Sequence, residues 1–303
     1  MVFPYSDDNK RYHTLHYYNK TVYGCRVVKA AVDAGRGCPN GEGCVFCNKN
    51  ARDRRSVFEQ FDEQKSRILA KFPDAKILLY LGVGTNTLGS AKELEKLLSD
   101  ALKCKPFALS IATRADCLDE EKSRLLASVE LPLTVELGLQ TVHDSTAKII
   151  NRGHSFGDFL CGFELLKSLK IRTCVHIMNG LPGEDIPMML KTAETLGRLR
   201  PDALKIHMTY VEKGTPLFEM YVGMNGRGEY SPMEKDEYIE TVVRQLELIP
   251  PETVIERVTG DADKALLAAP LWSADKISVL GGIDKKMADM DTYQGRLFKG
   301  NQI

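Results

Sequence analysis

Apolar positions along the chain alternate between two spacings. Mostly apolar or β-branched runs at residues 25–32, 76–83, 107–112, 133–139, 173–178 and 203–208 read as buried strands. Between them, residues 57–72, 91–103, 119–129, 158–169 and 188–199 carry helical spacing, clearest where Leu94, Leu97, Leu98 and Leu102 fall along one stretch. Strand and helix taking turns in this way predict a parallel sheet with right-handed crossovers, here an open (β/α)6 partial TIM barrel. Residues 9–24 form a polar, aromatic-rich lead-in. Beyond the sixth strand the character changes. Ser231 is placed to cap a helix running to about residue 248, with Pro232 and Glu234 in its first turn. A further strand at 253–259 is expected to cover the open barrel edge, and 260–303 to be helical and then irregular. No Gly/Pro/Ser linker separates the parts. The expected division is a core at 1–230 and an α/β extension at 231–303 packed on it as one structural domain.

Composition narrows the class. With 303 residues and 43% hydrophobic content the chain can bury a large core. Lys+Arg and Asp+Glu are both 41, so no global field draws it to nucleic acid or membrane. An RNA partner would need a local basic patch. No apolar run of about 18 residues is present to span a bilayer, and the N-terminus lacks a signal-peptide core. The expected location is the cytoplasm, without a membrane partner. Eight cysteines are too sparse for a disulfide scaffold, and clustered thiols in a reducing compartment read as metal ligands or redox groups.

Three of those thiols, Cys38, Cys44 and Cys47, lie on a loop containing Gly35, Gly37, Gly41 and Gly43. Thiolates select zinc, copper(I) or iron-sulfur clusters. Structural zinc normally closes with four protein ligands, so zinc here would need another, such as Cys25. Three thiolates on a four-iron cluster would leave one iron open to a cofactor or substrate. In an α/β barrel, chemistry collects at the C-terminal strand ends, and the unusual polar residues occur there. Gly82-Val83-Gly84-Thr85-Asn86-Thr87 is a glycine-rich turn whose freed N–H groups suit a carboxylate, or an ordinary turn with threonine caps. Glu136 and Gln140 stand in an apolar strand, where each must find hydrogen bonds. Arg152 offers a carboxylate bidentate geometry, or is a surface arginine at a helix start. His176 and, with less support, His207 are ligand contacts or satisfied core histidines. Lys49, Arg52, Arg54 and Arg55 are a solvated basic turn or a phosphate contact.

The spacing C-x5-C-x2-C, with Phe46 before the last cysteine, resembles the radical S-adenosylmethionine (SAM) superfamily, whose usual first gap is three residues. The longer gap is similar to the Elongator catalytic subunit and the YhcC-type family. Likeness to the YhcC-type family covers nearly the whole chain: Arg11-Tyr12, Val32-Asp33-Ala34-Gly35, the cysteine loop, Leu137-Gly138-Leu139-Gln140-Thr141, Asn151-Arg152-Gly153-His154, Gly180-Leu181-Pro182-Gly183-Glu184, Lys213-Gly214-Thr215-Pro216 and Thr259-Gly260-Asp261-Ala262. The resemblance implies a radical SAM type of barrel and a [4Fe-4S] cluster on Cys38, Cys44 and Cys47. Its open iron would bind SAM, and one electron from a flavodoxin- or ferredoxin-type donor would yield a 5′-deoxyadenosyl radical that abstracts a substrate hydrogen. It further implies Gly84, Thr85 and Asn86 against the methionine end of SAM and Gln140, with Glu136, at the ribose. Arg152 would meet the carboxylate. The Gly180–Glu184 turn would lie at the adenine, with His176 as its partner. The implied substrate is a tRNA wobble uridine. A peptide or small metabolite, or a non-catalytic structural zinc protein, remains open.

Overall fold

The computed structural model describes residues 3–48, 53–223 and 228–300. In chain order it contains α1 (Leu15–Tyr23), β1 (Val27–Val32), α2 (Val57–Lys71), β2 (Lys76–Leu81), α3 (Ala91–Lys103), β3 (Ala108–Thr113), α4 (Glu120–Ala127), β4 (Leu133–Gln140), α5 (Asp144–Ile149), α6 (Phe156–Ser168), β5 (Arg172–Asn179), α7 (Ile186–Leu199), β6 (Ala203–Met208), β7 (Val211–Glu212), α8 (Pro216–Val222), α9 (Lys235–Leu248), β8 (Val254–Arg257), β9 (Leu267–Ala269) and α10 (Lys276–Asp289). Seven strands pair in the order β1-β2-β3-β4-β5-β6-β8, all parallel, and curl into an open half-barrel. No described helix is long and apolar enough to cross a membrane.

Local sequence fixes most boundaries. Helices α2, α3 and α6 each begin with a capping box, Ser56 with Glu59, Ser90 with Glu93 and Ser155 with Asp158. Each satisfies orphan N–H groups reciprocally. Alternation along the strands then sorts the side chains. Leu79, Leu81, Ile111, Val135, Leu137, Val175, Ile177, Leu204 and Ile206 are fully or almost fully buried in the main core. The opposite faces of the same strands turn toward the barrel interior.

That interior is polar. Glu136 of β4, fully buried, accepts from Ser110 of β3 at 2.7 Å, Lys29 of β1 at 3.0 Å and His176 of β5 at 2.7 Å. Lys205 of β6 donates to the same carboxylate. Burial alone would raise the Glu136 pKa; Lys29, Lys205 and the His176 hydrogen bond outweigh it and hold the carboxyl well below the usual range. Lys29 reaches further, to Glu256 of β8 at 2.7 Å, and Arg172 meets Glu256 at 3.0 Å. Since β1 and β8 are the unpaired sheet edges, Lys29 spans the gap that backbone hydrogen bonds leave open. Below this layer, Leu15 and Tyr18 of α1 pack on Cys174, Ala203 and Val254. Thus α1 plugs the N-terminal end of the barrel.

The lead-in forms a helix: Thr14 caps α1, accepting from Tyr17 N, and Gly24 ends it at φ +65°. Two local expectations are corrected. Helix α9 begins at Lys235 after Glu234, not at Ser231. Residues 230–234 are held out of the helix because the Tyr230 hydroxyl donates to Gly180 O and the Met233 carbonyl accepts from Trp272 Nε1. The β8 strand is shorter than residues 253–259 and pairs with β6, so it extends the sheet without closing it.

Removing one cation from the Glu136 network leaves a poorly compensated buried charge. Lys205→Met is therefore expected to lower the unfolding free energy by about 3 kcal/mol. Urea denaturation reads this directly, and a loss smaller than about 1 kcal/mol, the scale of an exposed pair, would contradict the assigned role.

Candidate functional site

The cysteine loop follows β1, and its glycines cannot make it rigid alone. Other elements pin it. Thr85 N donates to Gly37 O at 2.8 Å, Asn40 Nδ2 to Asn151 O at 2.5 Å, Asn151 Nδ2 to Gly43 O at 2.8 Å, and Val45 N to Ile150 O at 3.0 Å. Leu217 N donates to Val45 O at 2.8 Å, and Phe46 packs against the Val211 and Leu217 cluster. Gly84 sits under the loop at φ +75°, where an added Cβ would lie 2.1 Å from Arg36 O. Only glycine fits that approach without displacement.

Cys38 and Cys47 are exposed and Cys44 is buried. All three face a cavity of about 650 Å³ at the C-terminal strand ends. Among the described residues, the only His/Cys/Asp/Glu group with all ligand atoms within 4.8 Å of one another is Glu136, Cys174 and His176. Cys25 lies before the six-residue β1, roughly 20 Å from the strand's far end, so it cannot supply a fourth ligand there. The Glu136 group is itself a poor cation site, because Lys29 and Lys205 already occupy its carboxylate.

Two arginines border the thiols. Arg152 donates through Nη2 to Gly138 O and lies beside the Cys44 thiol, while its buried Nε has no partner. Burial raises the Cys44 pKa and the Arg152 guanidinium opposes that rise. Arg114 grips Asp116 at 2.9 and 2.6 Å, donates to Arg152 O at 3.1 Å and Gly153 O at 3.0 Å, and lies 3.9 Å from Cys38 Sγ. Arg114 was not singled out in the sequence; its signal is an arginine at a strand end two positions before an aspartate. Gln140 adopts φ +75° at a register shift with Gly138, which turns it into the cavity. A non-glycine residue in that conformation is a strained placement held by its surroundings.

The cavity floor holds Tyr80, Glu136, His176 and His207. Since Glu136 is ionised, it accepts from His176, whose Nε2 must carry the proton. Burial pulls the His176 pKa down and that of His207 well down, so both imidazoles are neutral. Their rings are 5.3 Å apart with planes at 47°.

Of the residues expected at the site, Cys38, Cys44, Cys47, Phe46, Gly84, Thr85, Glu136, Gln140, Arg152 and His176 line this cavity. Asn86 does not. It is fully buried and its amide donates to Leu81 O, Val83 O and Ala112 O, tying the turn to β3. The Gly180–Glu184 turn lines a separate pocket with Tyr230 and Met233, away from the thiols. Arg55 pairs with Asp53 and Glu63 at 2.6 Å each, so this one cation of the basic run is met by its own acidic neighbours. Lys49 and Arg52 lie outside the described residues.

Residues 32–196 match the Radical SAM superfamily model and 201–289 the Radical_SAM C-terminal domain model. The chain is 38% identical to "Uncharacterized protein YtqA" of Bacillus subtilis, over 98% of this chain and 96% of that one. It is 29% identical to "Protein YhcC" of Escherichia coli K12, over 87% and 88%. Over 57% of its length it is 33% identical to a tRNA uridine(34) acetyltransferase of Methanocaldococcus infernus, spanning only 32% of that protein. The solved Elp3 of the same archaeon shares the fold, with TM-score 0.70 and 22% identity over 89% of this chain and 64% of that one.

The neutral imidazoles make stability depend on pH. Below about pH 6.5 an unfolded histidine binds a proton that folded His176 and His207 refuse, so stability falls as pH falls. Buried His13 and half-buried His154 act in the same direction. Glu136 adds a loss only at lower pH, as the pH falls through its depressed folded pKa. The urea midpoint is expected to drop between about pH 7.5 and about pH 5.5, with a shallower drop in His207→Asn. Equal slopes for the two proteins would refute the assignment.

Proposed function

The chain belongs to the radical SAM superfamily, in a YhcC-type branch related to the Elongator core, and from that premise we propose that Cys38, Cys44 and Cys47 hold a [4Fe-4S] cluster that binds SAM. The supporting observation is three thiols facing one cavity beside the unpartnered Nε of buried Arg152. Soft donors and an orphaned guanidinium nitrogen fit a cluster and a carboxylate-bearing cofactor. When bound, the cluster supplies the electron that splits SAM into methionine and a 5′-deoxyadenosyl radical.

The residues around it bind and orient. Arg152 holds the carboxylate of SAM, and Gln140, turned inward by its bulge, reaches the ribose. Gly84 and Thr85 keep the loop seated and leave room at the methionine end. Phe46 shields the loop from water through its apolar cluster. Asn86 and Glu136 support these positions from behind, since the Asn86 amide N–H groups and the Glu136 carboxylate are committed to the protein. The electron donor is a flavodoxin- or ferredoxin-type protein in the cytoplasm.

The substrate reading favoured here is a tRNA uridine, on the likeness to the tRNA uridine(34) acetyltransferase. A peptide or small metabolite is the alternative, favoured by the balanced charge and by the pairing of Arg55 with its own acidic neighbours.

Anaerobic reconstitution with iron and sulfide, followed by SAM and dithionite, tests the reaction. The parent should form 5′-deoxyadenosine and Cys44→Ala should form none. Zinc at about one per chain without sulfide, or product formed equally by the variant, would overturn the reading. A second variant addresses the loop: Gly84→Ala must push the Arg36 carbonyl aside at a positive φ. It should keep the circular dichroism of the parent but lose most of its cluster absorbance. Full cluster loading by Gly84→Ala would show that the close approach is dispensable.

A further inference from the structure

The polar atoms left open on the cavity floor belong to two histidines. Glu136 takes the Nε2 proton of His176, which leaves Nδ1 as a bare acceptor. Neither that nitrogen nor either nitrogen of His207 has a hydrogen-bond partner among the described residues, and both rings line the cavity. A neutral His207 keeps one N–H. The floor therefore presents an acceptor and a donor on rings 5.3 Å apart, beneath a space kept clear by Gly82, Ala112 and Gly138.

One complement of such a pair is a group with N–H beside C=O on one edge. A trans peptide bond points its N–H and C=O to opposite sides, so a peptide backbone does not present both to one wall. A ring lactam or imide does. An anion is poorly matched, because neither imidazole is charged and the carboxylate of Glu136 stands behind His176.

We propose that His176 and His207 bind the substrate by the N–H/C=O edge of a cyclic imide, the edge a uracil base carries, with Glu136 positioning His176. This rests on the radical SAM reading of the same cavity and gives His176 to the substrate instead of to the adenine. The imide donates to His176 Nδ1, and His207 donates to the adjacent carbonyl. A ring lacking the N–H leaves the His176 acceptor without its partner, which weakens binding.

Cluster-loaded protein with S-adenosylhomocysteine is titrated with uridine and 3-methyluridine, followed by saturation-transfer NMR. Uridine should bind at least about tenfold more tightly than 3-methyluridine. His176→Leu and His207→Leu should each abolish that preference, and His207→Gln, which keeps a donor, should retain part of it. Equal binding of uridine and 3-methyluridine would overturn the edge assignment while leaving a nucleoside substrate standing. Absence of uridine binding in protein that still makes 5′-deoxyadenosine from SAM would overturn both this inference and the RNA substrate, but not the radical chemistry. Unaltered uridine preference in both leucine variants would likewise remove the two histidines from the role.

Discussion

A carboxylate stripped of water at the centre of the barrel holds the molecule's polar interior in register. Glu136 receives donors from β1, β3, β5 and β6, so one side chain of β4 couples four other strands. An isolated ion at that depth would cost far more than any single contact returns, and it persists because every neighbour is a donor. The same requirement explains why lysines, a histidine and a serine interrupt strands that otherwise read as apolar. It also bears on the open edge. With no hydrogen bonds between β1 and β8, Lys29 joins them through Glu136 and Glu256, and the half-barrel keeps its curvature at the depth where the cavity begins.

The site inherits its properties from that layer. Ionised Glu136 fixes the tautomer of His176, and burial keeps His176 and His207 uncharged, so the floor is a neutral hydrogen-bonding surface instead of a basic one. The roof has a different origin. A loop with four glycines in nine residues has little conformation of its own, and it is shaped by backbone partners on the Gly84 turn and on the Ile150–Asn151 segment. The exchange between Asn40 and Asn151 binds the loop to the segment that carries Arg152. The thiols and the guanidinium are thereby placed by a single set of contacts.

Much of this was legible before folding. The leucine spacing of residues 91–103 sets α3 to the residue, and capping boxes mark α2, α3 and α6, because both signals act over one or two helical turns. The cysteine loop was legible for a similar reason, since its ligands lie within ten residues. Helix α1 was missed because its aromatic residues give a weak apolar stripe; its burial depends on the barrel floor it plugs. The start of α9 was misplaced because Trp272 and Gly180, distant in sequence, compete for the residues before it.

The sequence by itself determined the alternation of strands and helices, the thiol donor set and the identity of the buried polar residues. Those follow from short-range periodicity and from side-chain chemistry. Only the tertiary structure decided which polar residues meet: Lys29 and Glu136 are 107 positions apart, and Lys205 and Glu136 are 69 apart. It tied the Asn86 amide to the turn's own carbonyls and to β3. It also set the protonation of the two floor histidines, because charge state depends on burial and on partners that converge only when the sheet curls.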